Sequence, residues 1–136
     1  MALYKCGGGK TLTETTLWTN SSPTASFASQ DVTLLYSIDN YDYIKFTSIG
    51  WNGAGEIEAI VSVDYLNTTS SSTGSSSVAS PKVAVSAAQF GSGAMYIRTG
   101  YRVSSTSIRI GGCVRTDGGS GNNKTNIPIR ISGLKL

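Results

Sequence analysis

The chain has 136 residues, a formal net charge of +3 and no histidine. That length suits one domain whose core needs neither disulfides nor metals. Only 14% of the residues are charged and 16 are glycine, so too few helix-favouring surface residues remain to cover several helices, and the composition argues against a helical fold.

The first ten residues predict a lead-in that lies outside the domain. They end in the triple glycine at 7–9, which lacks the spacing of a phosphate-binding loop and predicts a flexible joint or tight turn. They contain no apolar core segment, so we expect no signal peptide, and no run in the chain is long enough for a transmembrane helix. The remaining residues, 11–136, are expected to form a single domain.

Alternation of apolar and polar residues predicts about eight strands. The densest aromatic and β-branched run is 40–51. Alternation along it places Ile44 and Phe46 on one face of the strand and the residues that alternate with them on the other face. The Asn-Gly pair at 52–53 predicts a tight turn after this run. A loop follows the first strand, and its Phe27 is expected to anchor it to the core. The other strands are predicted at 11–19, 31–37, 56–66, 82–87, 95–103, 108–116 and 126–136.

Two segments predict long exposed loops. Residues 67–80 are almost entirely Ser, Thr and Gly, so we expect them to be mobile and dispensable for folding. Residues 117–125 predict the second loop, and the Gly-Gly pair at 111–112 predicts a bulge or a close backbone approach. Together these patterns predict an all-β, antiparallel, jelly-roll-like sandwich with little or no helix.

Residues that could carry catalysis are scarce. The lack of histidine removes the commonest general base, the usual triads and most zinc sites. Glu56 and Glu58 share a strand face, whereas glycosidases take two carboxylates from opposite sides of a cleft, so we interpret the pair as solvated. Asp39, Asn40 and Asp42 lack the spacing of a calcium-binding loop. We therefore expect no enzyme activity, no cofactor and no metal site.

The basic residues and the cysteines carry little functional information. No lysine and arginine run typical of nucleic-acid binders is present, so we expect no nucleic-acid partner and no membrane partner. Four arginines are predicted to share one solvated strand face: Arg98, Arg102, Arg109 and Arg115. The sequence allows a disulfide between Cys6 and Cys113 but does not require one, and the absence of a secretion signal favours free thiols.

Aromatic residues near strand ends are the candidate contact residues. Trp18, Tyr41 and Trp51 could stack on a sugar ring, although such rings more often lie in a core or a subunit interface. Tyr43, Ile49 and Trp51 lie on the second face of their predicted strand. If the first face fills the core, they leave an apolar patch of the kind that marks an oligomer interface. The alternative is that a second sheet or a loop covers this patch within one subunit.

Several short motifs resemble a β-sandwich module of tail and other virion structural proteins from bacteriophages and prophages of gut bacteria. In chain order they are Leu-Trp-Thr-Asn at 17–20, Pro23, Phe27, Asn-Tyr-Asp-Tyr-Ile at 40–44 and Ile-Pro-Ile-Arg-Ile-Ser-Gly-Leu-Lys at 127–135. The resemblance covers residues 11–136, and its motifs are structural rather than catalytic. It implies a virion component that is assembled in the bacterial host cytoplasm. It also implies a homo-oligomer, and a trimer in particular, because phage fibres and their tips are commonly threefold.

The resemblance implies a non-enzymatic tail-fibre, receptor-binding or baseplate module that contacts the host surface. Its partners would be other virion proteins and a bacterial surface glycan, bound by several weak sites on one symmetric assembly. An alternative is a capsid decoration or head-fibre protein on the phage head, an expectation favoured by the absence of a fibre stalk before the domain. A third alternative, an enzyme acting on cell-wall glycans, lacks a matching acidic cleft signature.

Overall fold

The protein is described by a computed structural model that covers residues 2–5, 11–50, 53, 55–71, 81–90 and 93–136. Several predictions made above fall outside these residues. They are the glycine joint at 7–9, the disulfide option at Cys6, the roles of Trp51, the turn at Asn52 and the loop segment 72–80.

Ten strands and one short helix make up the described regular structure. The strands are β1 Ala2–Lys5, β2 Thr11–Thr19, β3 Gln30–Thr33, β4 Tyr43–Ile49, β5 Glu56–Ser62, β6 Val83–Phe90, β7 Ala94–Ser104, β8 Ser107–Ile110, β9 Val114–Arg115 and β10 Ile127–Lys135. The helix α1 spans Val63–Leu66, and a single 3-10 turn spans Ile38–Asn40.

The strands form two antiparallel sheets, which confirms the predicted all-β sandwich. The first sheet has the order β1-β2-β10-β4-β5, and the second has the order β3-β8-β7-β6 with β9 beside β7. Early strands pair with late strands, as in a jelly roll: β2 pairs with β10 in the first sheet, and β3 pairs with β8 in the second. The hairpins β4–β5 and β6–β7 then complete one sheet each.

The core lies between the two sheets and is built from their inward-facing side chains. Ile44 and Phe46 are fully buried, and Phe27 anchors its loop against them, as predicted. Each such side chain contributes about 1.5–3 kcal/mol through burial. Other core members include Leu17, Val32, Leu34, Val85, Ile108, Ile110 and Ile131.

The start of the chain differs from the predicted lead-in. Residues Ala2–Lys5 pair with β2 in the register Ala2–Glu14 to Lys5–Thr11. They therefore extend the first sheet instead of lying outside the domain. A four-residue edge strand is too short for alternation to be recognised in the sequence.

The predicted strand 56–66 ends at Ser62, where the chain turns into α1. The Ser62 hydroxyl accepts a hydrogen bond from the Tyr65 amide at 3.1 Å and caps this single turn. Helical spacing buries both Val63 and Leu66 and leaves Tyr65 exposed, whereas alternation along the predicted strand 56–66 places Val63 and Tyr65 on the same face. The assignment of faces for 63–66 was therefore wrong.

Two other predicted strands are shorter than expected. The strand at 31–37 ends at Thr33, so Leu34 stays in the core while Tyr36 is exposed. The strand at 108–116 divides into β8 and β9 around the Gly-Gly pair. A Cβ on Gly111 would lie 3.1 Å from the Thr99 carbonyl oxygen, which confirms the predicted close backbone approach.

The described part of the loop 67–80 is anchored at Thr69, so the prediction that the whole loop is exposed was wrong, whereas its being dispensable for folding stays a prediction. Thr69 is buried, its hydroxyl donates to the Leu66 carbonyl at 2.6 Å, and it accepts from the Arg102 amide at 2.9 Å. The Asn67 side chain accepts a hydrogen bond from the Arg102 guanidinium. Hydrogen bonding supplies the anchor here, and composition alone does not reveal it.

Candidate functional site

One end of the sandwich, which we call the loop end, carries the loops 20–29 and 111–126 together with Gly50, Gly53 and Gly55 between β4 and β5. Strands β2 and β4 run into this end, and β3, β5 and β10 leave it. Loops at the end of a rigid sandwich are common locations for binding residues.

Arg98 of β7 organises the loop end from inside the core. Its side chain is fully buried and donates only to main-chain carbonyl oxygens among the described residues. The acceptors are Asn126 at 2.8 Å, Phe27 at 2.9 Å, Gly111 and Thr125 at 3.0 Å, and Asn123 at 3.1 Å. One guanidinium therefore joins the loop after β2 to the long connection between β8 and β10.

The predicted solvated face of four arginines was wrong in the case of Arg98. Burial lowers the pKa of Arg98, but an arginine stays protonated, so its charge must be satisfied by hydrogen bonds. The Phe27 ring adds a cation–π contact at 5.5 Å. The other three arginines form ion pairs: Arg102 with Asp39, Arg109 with Asp31 and Arg115 with Asp117.

Further hydrogen bonds hold the same loops around Arg98. The Phe27 amide donates to the Asn123 carbonyl at 2.9 Å, and the Cys113 amide donates to the Asn123 side chain at 3.1 Å. Cys113 is a buried free thiol, and its burial raises the pKa of that thiol. Asn126 adopts a left-handed backbone with φ of 51° while its side chain donates to the Tyr96 carbonyl at 2.9 Å.

The first cleft of the loop end, the Trp18 cleft, has a volume of about 280 Å³. Its lining is Trp18, Thr19, Asn20, Ser21, Ser22, Ala25, Ser26, Phe27 and Gln30. The Trp18 ring packs edge-on against Phe27, with ring centres 6.0 Å apart. The side-chain NH₂ group of Asn20 donates to the Pro128 carbonyl at 2.8 Å, and its side-chain oxygen accepts from the backbone N–H of Ser22 at 2.8 Å. These two bonds fix the wall of the cleft.

The second cleft, the Lys124 cleft, has a volume of about 380 Å³ and lies on the other side of the same loop. Its lining is Pro23, Thr24, Ile49, Gly50, Gly53, Asn122, Lys124 and Ile127. The aliphatic side chains of Ile49 and Ile127 give it apolar walls, and Lys124 brings a charge. Residues 20–26 thus separate two adjacent depressions.

The structure does not bring Trp18 and Tyr41, the two described residues of the predicted sugar-stacking set, together. Trp18 is partly exposed at the loop end, whereas Tyr41 precedes β4 at the opposite end. Tyr41 packs over Gly133, where an added Cβ would lie 2.5 Å from its ring. Tyr41 therefore covers a glycine of β10 and contacts the core, while Trp18 lines a cleft.

Tyr43 and Ile49, the two predicted oligomer residues that the structure describes, share the outer face of the first sheet but do not form one apolar patch. Tyr43 is partly exposed on this face, and Ile49 lies at the Lys124 cleft. Between them Lys45 is buried in an ion pair, with Nζ 2.6 Å from Glu14 Oε1 and 3.8 Å from Glu58 Oε1. Apolar side chains flank this ion pair in a groove of about 260 Å³: Leu12, Ile60 and Leu134.

The acidic residues are occupied by structural ion pairs. Seven of the eight Asp and Glu side chains lie within 4 Å of a lysine or arginine nitrogen. Glu56 pairs with Arg130 and Glu58 with Lys45, and both carboxylates remain about half exposed, which fits the interpretation that the pair is solvated. Within the described ranges, no three metal-ligating side chains form a group that could hold an ion.

Sequence reasoning missed Arg98 and Lys124. The signal for Arg98 was available, because the alternation Ala94, Tyr96, Arg98 and Gly100 places it on the inward face of β7. Lys124 had no signal in the sequence, because its position depends on how the loop 111–126 folds against the loop after β2.

No protein-family model matches the chain, and no curated protein is significantly similar to it. None of the helices in the described residues has the length and apolar character needed to cross a membrane.

Proposed function

We propose that the protein is a non-enzymatic structural protein of a phage virion that contacts glycans on the bacterial surface, as part of a tail-fibre, receptor-binding or baseplate assembly. The resemblance of its motifs to phage modules supports the virion setting. The Trp18 cleft supports glycan binding and is the single observation that carries this part of the proposal. It combines a partly exposed aromatic ring with hydroxyl and amide side chains on a fixed wall.

The chemistry of the Trp18 cleft suits a sugar. An aromatic ring packs on the apolar C–H face of a pyranose, while Asn20, Ser22 and Gln30 exchange hydrogen bonds with hydroxyls. A shallow cleft that keeps its ligand wet gives weak binding per site. A homotrimer would raise the overall avidity by about 10²–10⁴ without any new contact.

A glycan array probed with the purified protein tests this proposal. We expect binding to bacterial surface glycans that is lost in Trp18→Ala and kept in Tyr36→Ala, which removes an exposed aromatic ring at the opposite end of the sandwich. In a Trp51→Phe background, the fluorescence of Trp18 should change on titration with the glycan. Equal binding by both alanine variants would contradict the proposal, and circular dichroism checks that each variant is folded.

Light scattering tests the proposed trimer. We expect a mass about three times the 14.2 kDa of one chain. A clean monomer at micromolar concentration would contradict self-assembly of the isolated chain.

A second candidate function is a capsid decoration or head-fibre protein, and the outer face of the first sheet favours it. Ile60 and Tyr43 are exposed there beside the groove that Leu12 and Leu134 line, so this face offers apolar area to another virion protein. Cryo-electron microscopy of the virion separates the two candidates. Density for this fold on the tail supports the first, and density on the head supports the second.

A further inference from the structure

The two clefts of the loop end are close enough to serve one ligand. The loop 20–26 supplies both, because Asn20 and Ser22 line the Trp18 cleft while Pro23 and Thr24 line the Lys124 cleft. The Trp18 cleft lies just below the small end of the roughly 300–1,000 Å³ range of small-molecule sites, and the Lys124 cleft lies just above it. One cleft alone therefore suits a short ligand, and the two together suit an extended one.

Lys124 is distinguished from the other basic residues by its lack of a partner. Its side chain is exposed, and no described residue forms an ion pair or hydrogen bond with its ammonium group. The other lysines and arginines with described side chains contact a carboxylate, a carbonyl oxygen or an aromatic ring. Lys82, for example, donates to the Ser70 carbonyl and lies 5.2 Å from the Tyr101 ring.

The backbone under Lys124 is fixed, so its position at the cleft is set by the fold. The Lys124 amide donates to the Asn122 side chain at 2.9 Å, and the Thr125 amide donates to the Asn122 carbonyl at 3.0 Å. The Thr125 carbonyl is in turn held by Arg98. None of the described residues that line the two clefts is a carboxylate, and Lys124 is the only charged residue among them.

We propose that the ligand of the loop end is an extended anionic glycan. A neutral sugar unit lies against Trp18, the chain crosses the loop at Pro23 and Thr24, and a carboxylate or phosphate group of a further unit pairs with Lys124. This inference rests on the proposed function, because it specifies the glycan class for the same end of the molecule. An exposed ion pair of this kind strengthens binding by about two- to fivefold, and salt weakens it.

The test compares matched probes with and without charge. The probes are chitin oligomers, hyaluronan oligomers of the same lengths, and glycerol-phosphate teichoic acid, measured by calorimetry at low and high salt. We expect tetramers to bind more tightly than dimers. We also expect the anionic probes to bind about two- to fivefold more tightly than the neutral probe at low salt only.

Two variants that remove the same charge locate the effect. Lys124→Gln should abolish the preference for anionic probes and leave chitin binding unchanged, whereas Lys135→Gln, at the opposite end of the sandwich, should keep the preference. If both variants behave alike, or if no anionic probe is preferred, the inference is overturned. If neutral glycans bind in that case and Trp18→Ala abolishes this binding, the proposed function still holds. Failure of every glycan on the array overturns both.

Discussion

Replacing Arg98 with methionine should destabilise the protein far more than the same change at any other arginine. Methionine keeps the length of the aliphatic stem but removes all five donors. The loops that Arg98 joins are far apart in the sequence, since Phe27 precedes it by 71 residues. The variant therefore breaks a long-range link while the strands keep their own hydrogen bonds.

The magnitude follows from the burial of the carbonyl oxygens that Arg98 binds. The bonds to Phe27, Thr125 and Asn126 are buried, whereas those to Gly111 and Asn123 are partly buried and can be replaced by water. Each buried acceptor left unpaired costs about 1–3 kcal/mol. Three of them at the lower end of that range give a loss of about 3 kcal/mol. A domain of this size is stable by about 5–15 kcal/mol, so the variant should still fold.

Urea denaturation followed by far-ultraviolet circular dichroism measures this loss. The matched control is Arg109→Met, because Arg109 forms an exposed ion pair with Asp31 on the second sheet and should lose less than about 1 kcal/mol. If both variants lose the same free energy of unfolding, the carbonyl contacts of Arg98 contribute no more than a surface ion pair. The reasoning on Arg98 would then be refuted.

Three further predictions are tested by urea denaturation or by chemical labelling. Lys45→Met should cost about 3–5 kcal/mol because it removes one partner of a buried ion pair, and adding Glu14→Leu should recover most of the loss; no recovery would show that the ion pair itself stabilises the fold. Thr69→Val should cost about 1–3 kcal/mol, against less than about 0.5 kcal/mol for exposed Thr68→Val, and equal urea midpoints would contradict the anchoring of this loop. Burial raises the pKa of the Cys113 thiol, so the folded state favours the neutral thiol more than the unfolded state does. The stability that this preference contributes is fully present below the unfolded pKa of about 8.5 and is lost as the pH rises above that value. Iodoacetamide at pH 8.5 should therefore label the peptide that contains Cys113 only after unfolding, as judged by mass spectrometry, and rapid labelling of the native protein would contradict its burial.

Alternation in the sequence predicted the strands well because each face of a strand meets a different environment. The eight predicted strands all have counterparts, and Ile44 and Phe46 face the core as expected. The error at 63–66 has a physical cause: apolar residues three apart fit a helical turn, and the Ser62 hydroxyl caps it. The run 56–66 also alternates, so its sequence pattern fits both a β-strand and a helical turn at 63–66.

The loop end could not be predicted because its structure depends on contacts between distant residues. Arginine normally stays in water, and that tendency overrode the inward position that alternation assigned to Arg98. Its acceptors come from loops whose composition indicated only exposure. Likewise Lys124 becomes part of a cleft only when the loop before β10 packs beside the loop 20–26.

The way in which Arg98 holds the loop end has a consequence for how this surface can change over generations. Every amino acid carries a carbonyl oxygen, so an anchor that binds main-chain oxygens places no demand on the identity of the side chains around it. Solvent-facing positions such as Ser21, Ser26 and Lys124 can therefore be exchanged while the backbone that carries them stays in place. A single buried arginine would let one scaffold carry many different recognition surfaces, and a library randomised at these positions should contain mostly folded proteins.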